Sequence, residues 1–113
     1  MIDLTGLWKC KSANGIYLIH QDGNEISIHG IGIGKDNFDN IGFGKIDNKE
    51  QFINGIWKDT PYSANPENCK NHVFKSKIIS ADELKDVNLQ CNSIDFGYGS
   101  LIKVKTVTEL QQL

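Results

Sequence analysis

The sequence predicts an all-β fold, a small eight-stranded antiparallel up-and-down β-barrel. Three observations carry this. Eight short runs rich in Ile, Val, Leu and aromatics are separated by turn signals at intervals of about 8–12 residues. The connections are mostly tight, Asn14-Gly15 and Asp22-Gly23-Asn24 among them, which favours a meander over crossovers. No long stretch has the 3.6-residue period that helices on a parallel sheet require. Eight antiparallel strands close when the last pairs with the first, and closure removes both edges.

Strand one is expected over residues 6–11. Alternation places Trp8 and Cys10 on one face and Leu7, Lys9 and Lys11 on the other, so the Trp8 face is the core. Gly6 permits a bend where a large ring must tuck under a neighbour, and Trp8 is expected to plug one end of the barrel. Strand two covers 16–21 and strand three 25–34. Their register is open. A two-residue loop puts Tyr17 and Ile19 on the same face as Ile26 and Ile28, whereas a three-residue loop puts Ile16 and Leu18 there. Strands four and five are read at 41–46 and 51–58. Residues 59–71 hold both prolines, Pro61 and Pro66, and have loop composition. Strand six is read at 72–79. Ser80-Ala81-Asp82-Glu83 has the form of a capping box and predicts one short helical turn through about residue 86. Strand seven follows at 87–91. Strand eight is read at 101–107, with Ile102 and Val104 inward and Lys103 and Lys105 outward.

The glycines at 30, 32, 34, 42 and 44 alternate in the rhythm of a strand, and no helix pattern follows them. They do not form a dinucleotide fingerprint. Alternate glycines on one strand face signal sharp coiling, or room for a bulky side chain lying across them.

A chain of 113 residues with 39% hydrophobic residues fits one domain, spanning 1–113, with one core. The net charge of -2 provides no field to draw nucleic acid or an anionic membrane. All twelve basic side chains are Lys, so the bidentate reader of guanine and phosphate is missing. No window reaches the roughly 20 apolar residues of a membrane-spanning helix. The opening residues lack a signal-peptide pattern, which favours the cytoplasm, but a removed signal would leave the same sequence and the compartment stays open. Of the three Cys, free buried thiols are the first reading, against a Cys10–Cys69 or Cys69–Cys91 bridge.

Gly6-Leu7-Trp8 on the first strand of such a barrel resembles the Gly-X-Trp signature of the calycins, the superfamily of lipocalins and avidins. Thr5 to Trp8, Asn14-Gly15 with Tyr17, Gln21 with Gly23-Asn24, and Gly55 through Trp57 and Asp59 to Pro61 extend the likeness. Together they resemble small bacterial calycin-like domains of uncharacterised function, over about the first half of the chain. The resemblance implies a lipocalin-like barrel and ligand binding at an open end, with Gly6 and Trp8 structural. It brings no ligand identity. A biotin site of the avidin kind needs polar residues just after the first Trp and several further Trp. Here Lys9-Cys10-Lys11 follow, and the chain has two Trp in all.

Trp57 and Asp59 share one side of strand five where it meets the long loop. With Tyr17 and Tyr62 they are the candidate ligand-binding residues; Asp59 acting only as a turn cap is the alternative. His20, His29 and His72 lack a placed third ligand, so no metal is expected. Nothing in the spacing orients a base toward Cys10, so no catalytic set and no cofactor are expected. Two functions follow. The first is a non-enzymatic binding module for a small, partly apolar molecule. The second is a protein–protein interaction module, inhibitor or accessory subunit, a homodimer included, using the outer barrel face or the 59–71 loop.

Overall fold

The computed structural model describes residues 2–10, 15–32, 39–59, 73–87 and 100–106, without the side chains of Lys58, Asp59 and Asp86. Eight antiparallel strands follow one another around a closed barrel. They are β1 Gly6–Cys10, β2 Gly15–Asp22, β3 Glu25–Gly32, β4 Asp39–Asp47, β5 Phe52–Asp59, β6 Val73–Ser80, β7 Glu83–Asp86 and β8 Ser100–Lys103. β8 closes on β1 through Trp8↔Lys103, Lys9↔Ile102 and Cys10↔Leu101. The β2–β3 hairpin turns at Gly23-Asn24 with Asp22 opposite Glu25, which settles the open register: Tyr17 and Ile19 share the buried face with Ile26 and Ile28. Gly23 sits at φ 62°, the left-handed conformation that a tight hairpin of this kind requires.

The interior is filled by large rings set against glycine. Trp8, Tyr17 and Phe74 are all but fully buried, and Trp57 nearly so. The Tyr17 ring lies over Gly30, where a Cβ would strike it. The Phe74 ring lies over Gly42 and Gly55, so the alternate glycines serve packing across the sheet. One end, the hairpin end, is closed by the N-terminal strap of residues 2–5. The Trp8 indole N–H donates to Leu4 O at 2.9 Å. Gln21 accepts from Leu4 N at 2.8 Å through Oε1 and donates to Ile2 O at 2.9 Å through Nε2. Trp8, on β1, is fully buried beneath this strap and is the register partner of Lys103 on the last strand.

Two local expectations are corrected. Residues 80–86 contain no helical turn. Ala81-Asp82 is the tip of a hairpin between β6 and β7, and the Ser80 hydroxyl accepts from Asp82 N at 3.1 Å. The same hydroxyl-to-backbone bond serves a helix cap and a turn. Leu84 decides between them, because period-2 alternation buries it opposite Ile78 and Leu101. β7 therefore precedes the expected strand seven, of which residues 88–91 lie outside the described residues. The facing of strand eight is also reversed. Leu101 points inward, and Lys103 stands on the Trp8 side with its Nζ 5.9 Å from the ring centroid. Lys103 escapes burial of its charge because it lies at the hairpin end, where Nζ donates to Asp3 O at 3.3 Å. Gly6, at φ 151°, leaves space for its methylenes: a Cβ there would come within 2.9 Å of Lys103 Cε.

Candidate functional site

Two regions compete as the site. The first is the interior at the end away from the hairpins. The register aligns Tyr17, Gly30, Asn40 and Asp59 in one row across β2, β3, β4 and β5. Trp57 is in the next row, opposite Gly42. Tyr17 and Asn40 meet over Gly30, and Asn40 is one of two buried polar residues among the described residues. Of the four candidate ligand-binding positions, Trp57 and Asp59 are close along β5, Tyr17 lies three strands away on β2 with Gly30 and Asn40 between it and Asp59, and Tyr62 lies outside the described residues. Sequence reasoning missed Asn40. Its signal was present: it precedes the strand Ile41-Gly42-Phe43-Gly44 by one residue and so shares the face of the two glycines.

The second region is the outer face of β2–β5. Alternation that buries the glycines turns large apolar side chains outward. Phe43 and Ile56 are 58% and 59% exposed, and Leu18, Ile31 and Ile41 are 42–48% exposed. They lie in adjoining rows, Leu18–His29–Ile41 and Ser27–Phe43–Ile56, with Ile31 beside Asp39. A groove of about 560 Å³ runs beside Phe43 between Leu18, Ser27, His29 and Ile41. A second, of about 400 Å³, lies on its other side between Glu25, Lys45, Asn54 and Ile56. The apolar rows are bounded by charge. Glu25 and Lys45 stand at the hairpin end, and at the other end His29 Nε2 bonds Asp39 Oδ1 at 2.6 Å. The outer face of β6 and β7 is more charged, carrying exposed Lys77 and Lys85 as register partners beside the exposed Ile79 of β6. At the hairpin end a further open depression of about 760 Å³ is lined by Ile2, Ile46, Asn48, Gln51 and Ile78.

Among the described residues, the remaining candidates are not brought together into a reacting group. His20 is exposed on the outer face of β2, His29 is engaged with Asp39, and His72 lies outside the described residues. Among the described residues no group of three His, Cys, Asp or Glu side chains is placed to hold a metal ion. Cys10 is buried beside the β8 residue Leu101, and Cys69 and Cys91 lie outside the described residues. In the N-terminal strap, Asp3 accepts a hydrogen bond from Thr5 N at 3.0 Å. The Thr5 backbone N–H and hydroxyl bond its carboxylate and hold it below its ordinary value, with Lys103 and His20 adding to the effect. Asp3 belongs to the strap, so this is a structural bond. No protein-family model matches the chain, and neither a curated protein nor a solved structure matches it.

Proposed function

We propose that this chain is a protein–protein interaction module that works through the outer face of β2–β5. One observation carries the reading: five large apolar side chains stand in adjoining rows on one face of a barrel whose core, among the described residues, is already packed with large rings. Interior packing explains why Trp8, Tyr17, Trp57 and Phe74 are apolar, but it does not explain Phe43 or Ile56. The five together expose on the order of 500 Å² of side chain, within the roughly 300–600 Å² of the largest patch on a typical monomer, a patch that is often functional. The early Gly6-Leu7-Trp8 on a closed eight-stranded barrel supports kinship with bacterial calycin-like domains, and a face-binding role needs no ligand cavity. Binding of a small, partly apolar molecule beside Tyr17, Asn40 and Trp57 is the second reading. The buried Asn40 amide among aromatic rings favours it, since a pocket of that kind fixes ligand orientation with few polar groups.

Site-specific photo-crosslinking in the native host tests the first reading. A benzophenone side chain at position 43 is expected to give discrete protein adducts, whereas one at Lys85 on β7 gives none above background. Equal labelling from both positions, or none from 43, overturns it.

A further inference from the structure

We infer that the partner seated on this face is a second copy of the chain, held as a two-fold dimer with the two β4 strands antiparallel and face to face. The inference rests on the interaction reading above and names its occupant. The outward residues of β4 are Asp39, Ile41, Phe43 and Lys45 in order. The order is charge-complementary to its own reverse: acid, apolar, apolar, base. A two-fold axis in the interface plane, crossing β4 between Ile41 and Phe43, sets Asp39 against the partner's Lys45 and Phe43 against the partner's Ile41. Each contact then occurs twice, as an isologous interface demands.

Three further features fit this axis. Phe43 projects between two grooves on its own face, so the face carries both the ridge and the hollow that receives it. The alternative two-fold, parallel to β4, sets Lys45 against the partner's Lys45 and Asp39 against the partner's Asp39, and like charges in register oppose association. Packed sheets lie about 10 Å apart with strands about 30° from parallel, a displacement that the long Lys45 side chain spans. The five apolar side chains expose on the order of 500 Å², and the exposed Glu25 and Asn54 beside them extend the face toward the roughly 800 Å² per partner of a standard stable interface. The adjoining apolar rows lie on β2–β5, whereas β6 and β7 turn Lys77 and Lys85 outward with Ile79 standing apart on β6, an arrangement that matches a one-sided protein contact and not a lipid girdle around the barrel.

Sedimentation equilibrium of the full chain from 1 to 300 µM, with two charge variants, tests the inference. The wild type is expected to be a monomer–dimer system. Lys45→Asp makes two acid–acid contacts and Asp39→Lys makes two base–base contacts, so each alone is expected to raise the dissociation constant at least tenfold. Their equimolar mixture restores two opposite-charge contacts and is expected to return heterodimer near wild-type affinity. Circular dichroism melts of both variants confirm that each is folded before its mass is read. A monomeric wild type at 300 µM overturns the dimer, as do single variants that dimerise as the wild type does, or a mixture no tighter than its components. A monomeric wild type that still gives discrete adducts from position 43 sinks the dimer alone. A monomer without adducts sinks the interaction reading as well.

Discussion

Trp8 and Lys9 are adjacent residues with opposite environments. The indole is fully buried against the strap, with Lys103 at its edge, and Lys9 points outward between Ile16 and Ile102. Removing the ring leaves a void that the closed barrel does not collapse to fill. Trp8→Ala is therefore expected to cost on the order of 3–5 kcal/mol. Lys9→Ala is expected to stay within about 0.5 kcal/mol. Urea titrations of both variants check the contrast, and a wild-type midpoint for Trp8→Ala removes its role as a plug. The facing of Trp8 was legible in the sequence because a large ring alternated with two lysines. The inward side of Lys103 was not, because its neighbours Ile102 and Val104 imitate a core pattern. Only the pairing of β8 with β1 reveals that position 103 sits at a barrel end, where an ammonium group reaches out past Trp8.

Strand glycines are the device that turns a meander into a filled barrel. Gly30, Gly42 and Gly55 sit on the interior face, where Tyr17 and Phe74 lie across them. Gly55 is the tightest, since a Cβ there would meet both Phe43 O and the Phe74 ring. Gly55→Ala is expected to destabilise by about 1–3 kcal/mol through overpacking, whereas Ala normally suits a strand no worse than Gly. Thermal melting measures it, and a rise in midpoint rejects the close approach. The alternating Gly-X-Gly rhythm made the strands and their coiling readable. It did not say which ring fills the space, because Phe74 arrives from β6 across a register that no local pattern encodes. The helical turn expected at 80–86 failed for a related reason. Ser80 and Glu83 satisfy local rules for a cap, and the packing of Leu84 against β8 overrides them.

At the scale of the molecule, the closed barrel separates residues that hold the fold from residues available to a partner. The separation was half legible. Alternation identified two faces on each strand, but the open register of β2 and β3 left their exposed face unassigned, and an exposed row across four strands is visible only once all registers are fixed. On the proposed reading, Phe43 and its neighbours serve binding and contribute little to folding. Urea unfolding at about 1 µM protein, where association is minimal, compares Phe43→Thr with Phe74→Ala. Threonine keeps strand propensity at 43, so Phe43→Thr is expected to cost less than about 1 kcal/mol. Phe74→Ala, emptying the interior, is expected to cost about 3–5 kcal/mol. A loss at Phe43 equal to that at Phe74 contradicts the claim, because the outer apolar rows then belong to the fold and leave no surplus face to explain.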